Sequence, residues 1–198
     1  DYLFYVKGTS LIASRGCPFD CIYCQPITKK LFGKKFRKHT VNQVFSKMDE
    51  LNKKFGINSF FFHDDTFLVD KVWVKNLCQK LIEEKRKYRW ICNTRVDTIS
   101  EDIIKLMAKA NCKEIRLGIE SIDQKVLNFY KKGIKVKKIN EAIKIIKKHK
   151  IKIFGFFMLG SPLETKRIMW KTIKYAINSD INFARFSILV NMPGTYLS

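Results

Sequence analysis

Short apolar or aromatic runs alternate with longer amphipathic stretches along the chain. The runs have the length of β-strands, and the stretches repeat apolar residues at spacings of three and four, as α-helices do. Continuous hydrophobicity within the runs indicates strands buried on both faces, as in a parallel sheet covered by helices. The predicted strands are residues 10–14, 59–63, 90–94, 114–119, 151–159 and 183–190.

Five helices are predicted between these strands. Thr40 and Gln43 have the spacing of a capping box, and Gly56 is suited to end the helix that they begin. Asp70 and Ser100 precede the next two amphipathic stretches, where an oxygen-bearing side chain can cap a helix. The fourth helix contains Ile139, Ala142, Ile143 and Ile146, and the fifth spans residues 164–178.

Turn signals bear on how these strands connect. The chain contains no Asn-Gly or Asp-Gly pair that would join two strands as a hairpin. Right-handed crossovers between parallel strands are therefore the simplest topology. An open doubly wound sheet and part of a barrel both fit, and in either fold functional groups gather where the strands end.

Composition limits the class of protein. The 198 residues are 46% hydrophobic and 29% charged, which excludes disorder and suits one domain with a single core. No apolar stretch reaches the eighteen or so residues that a membrane span needs. The chain opens at Asp1 without an initiator Met or a signal-peptide pattern. We therefore interpret residues 1–198 as one core domain of a longer polypeptide whose flanking domains are absent, and we expect a cytoplasmic protein.

The net charge of +21 admits two interpretations. Only eight of the 39 basic residues are Arg, and Lys is scattered through nearly every segment together with Ile, Asn and Phe. Codon bias in an AT-rich genome produces this pattern without selection for a partner. The other interpretation is an electrostatic surface for nucleic acid or a phosphate-bearing ligand.

Three cysteines lie close together after the first predicted strand. Cys17, Cys21 and Cys24 form a C-x3-C-x2-C pattern, which chance would give in roughly one such chain in two hundred. An odd number of thiols in a large α/β domain argues against disulfides. Structural zinc needs a fourth ligand from elsewhere, whereas a 4Fe-4S cluster with three thiolates keeps one iron open for a ligand. Iron–sulfur, zinc and buried thiols all remain possible from the spacing, and Cys78, Cys92 and Cys112 are expected to be buried small hydrophobes.

The cysteine loop resembles the signature of the radical S-adenosylmethionine (radical SAM) superfamily, in which an aromatic residue, here Tyr23, precedes the last cysteine. The resemblance extends over nearly the whole chain and is strongest to the cobalamin-associated branch. It implies an α/β fold, namely a partial (β/α)6 TIM-like barrel with parallel strands. The strings that carry it are SRGCP at 14–18, FHDDTF at 62–67, RVD at 95–97, GIES at 118–121, FMLGSPLET at 157–165 and PGT at 193–195.

The resemblance also implies cofactors and a reaction. Cys17, Cys21 and Cys24 would hold a 4Fe-4S cluster, and S-adenosylmethionine would chelate the open iron and be cleaved reductively to a 5'-deoxyadenosyl radical. An external electron donor such as a flavodoxin or ferredoxin would supply the electron. Cobalamin would enter through a missing N-terminal domain. The reaction would be methylation or another radical transformation of an unknown small-molecule or RNA substrate.

Polar residues at the predicted strand ends are the candidates for binding the cofactor. Asp64 and Asp65 could accept from the ammonium group of the methionine moiety, or form an ordinary polar turn. Glu120 and Ser121 could accept from the ribose, and Ser121 or Asp123 could instead cap a helix. Gly160 and Pro162 would let the backbone approach a ligand, and Arg95 could neutralise a carboxylate or pair with Asp97.

Two other functions remain open at this point. The first is a tRNA-modifying, methylthiotransferase-like radical SAM enzyme, which would give the positive charge a purpose. Such enzymes carry further cluster cysteines and an RNA-binding domain, and neither is present in this chain. The second is a non-enzymatic zinc or iron–sulfur module that binds nucleic acid.

Overall fold

Apolar, β-branched and aromatic runs form the strands, and the amphipathic stretches between them form helices. The structure, a computed structural model, describes residues 7–24, 35–191, 193–195 and 197. Within those residues the strands are β1 (Gly8–Leu11), β2 (Ser14–Arg15), β3 (Arg37–Lys38), β4 (Ser59–Phe62), β5 (Arg89–Arg95), β6 (Cys112–Glu120), β7 (Lys152–Leu159) and β8 (Phe183–Ile188). The helices are α1 (Val41–Phe55), α2 (Lys71–Glu83), α3 (Glu101–Lys109), α4 (Gln124–Phe129), α5 (Val136–Lys148) and α6 (Lys166–Asn178).

Six strands form one parallel sheet in the order β1-β4-β5-β6-β7-β8. Ser59 of β4 aligns with Gly8 of β1 and Arg89 of β5, and Phe154 of β7 aligns with Arg116 of β6 and Phe183 of β8. No pairing between described residues joins β1 to β8, so the sheet stays open as a partial barrel. The predicted α/β class and the six parallel strands are confirmed.

Three details of the sequence prediction were wrong. The first predicted strand, residues 10–14, is divided, because β1 ends at Leu11 and β2 begins at Ser14. The expectation of parallel pairing throughout fails at β2 and β3, which pair antiparallel. Helix α4 was not predicted, since its six residues are too few to show a helical period.

Capping residues define where the helices begin and end. Thr40 and Gln43 form the predicted capping box, and Gly56 ends α1 with a φ of 67°. Asp70 accepts from the backbone N–H of Trp73 at 2.9 Å. Asp123, and not Ser121, caps α4, whereas Ser100 precedes α3 without a side-chain cap to the backbone.

The hydrophobic core lies between the sheet and the helices that cover its outer face. Trp90 and Ile115 of the sheet and Leu77 and Ile103 of α2 and α3 are each at most 1% exposed. Cys78, Cys92 and Cys112 lie in this core at 3% exposure or less, as predicted. Among the described residues, no helix combines the length and apolar character needed to cross a bilayer.

Candidate cofactor site

The three cysteines and most of the predicted polar residues line one cavity. It has a volume of about 520 Å³ and lies inside the partial barrel at the carboxyl ends of the strands. Cys21 is buried, Cys17 is half-buried and Cys24 is exposed. The predicted residues in its wall are Cys17, Cys21, Tyr23, Cys24, Asp64, Asp65, Arg95 and Glu120.

Asp64 anchors the chain that leads into the cysteine loop. Its carboxylate accepts from the backbone N–H of Ala13 at 3.1 Å and from the hydroxyl of Ser14, and its side chain is buried. Burial raises the pKa of Asp64, although these two donors oppose the shift. The Asp64 carboxylate is therefore engaged by the segment before the loop.

Asp65 differs from its neighbour in its contacts. Asp65 is exposed, and its carboxylate has no hydrogen bond or ion pair with another described residue. Asp65 is therefore the member of this pair whose carboxylate is available to a ligand in the cavity.

A close backbone approach fixes the start of the cysteine loop. Gly16 has a φ of 92°, and a Cβ added there would lie 2.6 Å from the carbonyl oxygen of Lys35. Only glycine suits both the backbone conformation and this contact. The approach occurs beside the antiparallel pairing of Arg15 with Arg37, which holds the two sides of the loop together.

The end of the loop is held by the segment after α4. The backbone N–H of Ile22 donates to the carbonyl oxygen of Tyr130 at 3.1 Å, and the ring of Tyr23 meets that of Tyr130 edge to face at 5.1 Å. Ile22 and Tyr130 are both buried. These contacts place Tyr23 with its hydroxyl toward the carboxyl end of β6.

Arg95 links the cysteine loop to β5. Its guanidinium makes two hydrogen bonds of 2.9 Å to Asp97 and donates to the sulfur of Cys21 at 3.3 Å. The ring of Phe19 covers the guanidinium at 3.7 Å. The ion pair with Asp97, one of the two predicted roles, is therefore present, and the same side chain places positive charge against a cysteine sulfur.

Glu120 forms a buried charged group with two side chains. Its Oε1 atom accepts from Lys132 Nζ at 2.8 Å and from the Tyr23 hydroxyl at 3.2 Å, and Lys132 Nζ also contacts that hydroxyl at 2.9 Å. The side chains of Lys132 and Glu120 are only 5% and 13% exposed. Burial is the main cause that raises the pKa of Tyr23, and the negative charge of Glu120 is the next. The Tyr23 hydroxyl therefore stays protonated and can donate to Glu120.

The backbone of β6 is distorted where it delivers Glu120. The register with β7 shifts between Gly118 and Glu120, and Glu120 has a φ of 66°. A Cβ on Gly118 would lie 2.9 Å from Glu120 Oε1 and 3.0 Å from Lys132 Nζ. The ion pair of Glu120 and Lys132 therefore occupies the space that a side chain at position 118 would need.

Ser121, Gly160 and Pro162 do not line this cavity. The buried Ser121 hydroxyl lies 3.4 Å from that of Thr172 and accepts from the backbone N–H of Asp123 at 3.2 Å. Gly160 has a φ of 91° at the end of β7, followed by a turn in which Glu164 accepts from the Ser161 N–H at 2.8 Å. Ser121 and Gly160 therefore shape the ends of β6 and β7, and Pro162 lies in the turn that follows β7.

Several residues of the wall were not predicted. Lys132 completes the Glu120 group, and Asn93 donates to the carbonyl oxygen of Asp64 at 3.4 Å. Alternation along β6 could have revealed Arg116, because it shares a sheet face with Gly118 and Glu120. The other unpredicted members include His63, Phe61, Phe156 and Arg185.

The donor set can be tested against the implied cluster. Three thiols from one short loop reach a single cavity, and a positive charge adjoins one of them, which suits thiolate ligation. Within the described part of the chain, no three Cys, His, Asp or Glu side chains are already arranged as a metal site. The residue types and their common cavity fit a three-thiolate cluster with one open iron.

Comparison with known proteins adds independent information. A family model described as the Radical SAM superfamily matches residues 11–176. An uncharacterized methyltransferase of Pyrococcus horikoshii is 35% identical over 187 residues, covering 94% of this chain and 40% of the relative. Bacteriochlorophyllide d C-12(1)-methyltransferase of Chlorobaculum tepidum is 25% identical over 195 residues, covering 96% of this chain and 42% of the relative.

A solved structure supports the fold. The radical SAM methyltransferase TsrM of Kitasatospora setae, with cobalamin and a [4Fe-4S] cluster bound, superposes with a TM-score of 0.87 at 20% identity. The match covers 100% of this chain and 40% of that one. The chain thus spans about 40% of the length of these relatives.

Proposed function

Because the chain belongs to the radical SAM superfamily, we propose that Cys17, Cys21 and Cys24 hold a 4Fe-4S cluster and that the adjoining cavity binds S-adenosylmethionine. The observation that carries this proposal is that all three thiols share one cavity with Tyr23, Asp65 and Glu120. When bound, the reduced cluster would supply the electron that breaks a carbon–sulfur bond of S-adenosylmethionine and yields a 5'-deoxyadenosyl radical.

Each side chain of the wall has a part in this proposal. The exposed Asp65 accepts from the ammonium group of the methionine moiety, while Asp64 positions the loop through Ala13 and Ser14. Glu120 accepts from a ribose hydroxyl through the carboxylate oxygen that Lys132 leaves available. Arg95 stabilises negative charge on Cys21.

The three predicted residues outside the cavity have a different part. Ser121 acts through its hydroxyl at the end of β6, and Gly160 and Pro162 act through the backbone after β7, all three outside the cavity. Their proposed role is therefore to shape the strand ends at the border of the site, in place of the direct contact with S-adenosylmethionine that the sequence suggested.

We further propose that the reaction is a methylation assisted by cobalamin. The methyltransferase names of two relatives and the cobalamin in a structure of the same fold support this choice. Superfamily members generally need an external electron donor, and we propose a flavodoxin or ferredoxin here. A tRNA-modifying reaction of the methylthiotransferase kind is the alternative. Membership of this superfamily disfavours a non-enzymatic zinc module.

Replacement of single cysteines tests the cluster. After anaerobic reconstitution, the intact protein should contain about four irons and four sulfides. Changing Cys17, Cys21 or Cys24 to Ala should abolish the cluster. Cys78→Ala and Cys112→Ala are matched controls, because both thiols lie in the core, and each should keep the iron content. Stoichiometric zinc with sulfur ligands in X-ray absorption would contradict the cluster.

Cleavage of the cofactor is measured separately. With dithionite, the reconstituted protein should convert S-adenosylmethionine to methionine and 5'-deoxyadenosine. Glu120→Gln should weaken S-adenosylmethionine binding and leave the iron content unchanged, because its proposed partner is the ribose. An intact cluster whose EPR spectrum is unaltered by S-adenosylmethionine, and which yields no 5'-deoxyadenosine, would refute the proposed function.

A further inference from the structure

Two arginines line the part of the cavity that the proposed cofactor groups leave unused. Arg116 lies on β6, two residues before Gly118 and so deeper in the barrel than Glu120. Arg185 lies on β8, in register with Phe156 of β7, which in turn aligns with Gly118. Because neighbouring strands are about 4.8 Å apart, the backbones of β6 and β8 are roughly 10 Å apart, within reach of two arginine side chains.

The Arg116 guanidinium is held by one edge and stacked on aromatic rings. Its Nε donates to Glu114 at 2.9 Å, and its carbon lies 4.5 Å from the ring centre of Phe61 and 5.2 Å from that of Phe154. Its two terminal nitrogens have no hydrogen bond to another described residue. The side chain is 23% exposed, so these donors are oriented and accessible.

Arg185 has no counter-ion in the described part of the chain. It is exposed and makes neither a hydrogen bond nor an ion pair with any described residue. The other cations of the wall differ, because Lys132 is paired with Glu120 and Arg95 with Asp97. The carboxylates of the wall, Asp64, Asp65 and Glu120, belong to the ends of β4 and β6 beside the cysteine loop.

We infer that this half of the cavity binds the substrate, and that the substrate is a small organic anion with an apolar or aromatic body. Its carboxylate or phosphate would accept from Arg116 and Arg185, and its body would lie against Phe61 and Phe156. This inference rests on the proposed function, because it assigns the remaining wall to the molecule that receives the radical chemistry.

Binding of simple probes tests the inference. The intact, reconstituted protein is first saturated with S-adenosylmethionine, so that probes cannot occupy that site. Phenyl phosphate, phenylacetate and the uncharged benzyl alcohol are then titrated by calorimetry. At least one anion should bind about tenfold or more tightly than benzyl alcohol, and the comparison of the two anions distinguishes phosphate from carboxylate.

Variants connect the probe to the two arginines. Arg185→Gln and Arg116→Gln should each weaken binding of the preferred anion about tenfold. Arg167→Gln is the matched control, because Arg167 is an exposed arginine on α6 outside the cavity, and it should bind as the wild type does. Arg116→Gln leaves Glu114 without its partner, so the exposed Arg185 provides the decisive variant if that protein folds poorly.

The outcomes separate this inference from the proposed function. If the wild type has its cluster and cleaves S-adenosylmethionine but binds neither anion more tightly than benzyl alcohol, only the substrate inference is overturned. Unchanged anion binding in Arg185→Gln would overturn it too. An RNA oligonucleotide is titrated in the same way, and Arg185-dependent binding of RNA without binding of either small anion would also overturn the inference. Loss of cluster and cleavage in the wild type would instead overturn the proposed function.

Discussion

The cavity wall beside the cysteine loop and the wall formed by β8 differ in how their charged side chains are held. Beside the loop, Lys132 is paired with Glu120, and Arg95 is paired with Asp97 and contacts a cysteine sulfur. At β8, Arg185 is exposed and has no counter-ion among the described residues. Buried charges require partners, whereas an exposed charge remains hydrated and available. This difference is consistent with the proposed assignment of the loop side to the cofactor and of the β8 side to the substrate.

Removing the buried cation should give the largest effect. Lys132→Met leaves Glu120 without its ion pair at 13% exposure and should lower the free energy of unfolding by roughly 3 kcal/mol. Arg185→Met, the matched change on the open side, should alter it by less than about 0.5 kcal/mol. Urea unfolding monitored by circular dichroism measures both values. Equal losses in the two variants would remove the distinction between the two sides.

Crowding the paired side without changing its charge should have a smaller effect. Gly118→Ala places a Cβ 2.9 Å from Glu120 Oε1 and 3.0 Å from Lys132 Nζ, so the pair must move. We expect a loss of about 1–3 kcal/mol in the free energy of unfolding. In a Lys132→Met background the same substitution should lose less, because one of the two crowded atoms is gone. If the losses of the two single variants simply add in the double variant, contact with Lys132 is not the cause of the Gly118→Ala effect.

The pH dependence of Asp64 gives the smallest and most specific test. Burial raises its pKa above the ordinary aspartate value of 3.8, so the folded state binds the proton more tightly than the unfolded state. The free energy of unfolding of the wild type, relative to Asp64→Asn, should therefore increase as the pH falls through the raised pKa toward 3.8. Parallel urea titrations between neutral and acidic pH measure this difference. A difference that grew with rising pH would contradict the assignment.

Much of the fold followed from local patterns. The capping box at Thr40 and Gln43 and the left-handed Gly56 depend on residues within one helical turn, and both were predictable. The six parallel strands were predictable from short apolar or aromatic runs, and β4 is buried at every residue as expected for a strand covered on both faces. The expected burial fails at β8, which is exposed at every residue. The missed elements, α4 and the β2–β3 pair, are short, and their stability depends on contacts between segments distant in sequence.

In the candidate site, too, features set by neighbouring residues were predictable, and contacts between distant segments were not. The spacing of Cys17, Cys21 and Cys24 was informative by itself, because one loop carries all three. Lys132 could not be distinguished from the many other lysines of the chain, since only the fold buries it beside Glu120. The pairing of Arg95 with Asp97 was predictable over two residues, but its contact with Cys21 joins positions 74 apart.

The sequence by itself determined the six strands of the main sheet, five of the helices, the cysteine loop and the family to which the chain belongs. Only the tertiary structure decided which polar side chains share the cavity, that the Asp64 carboxylate is engaged by the segment before the cysteine loop, and that Ser121, Gly160 and Pro162 lie outside the cavity. The physical reason is the distance along the chain over which each interaction acts. Backbone propensity and capping act within a few residues, whereas burial and ion pairing depend on which strand ends the parallel sheet brings together.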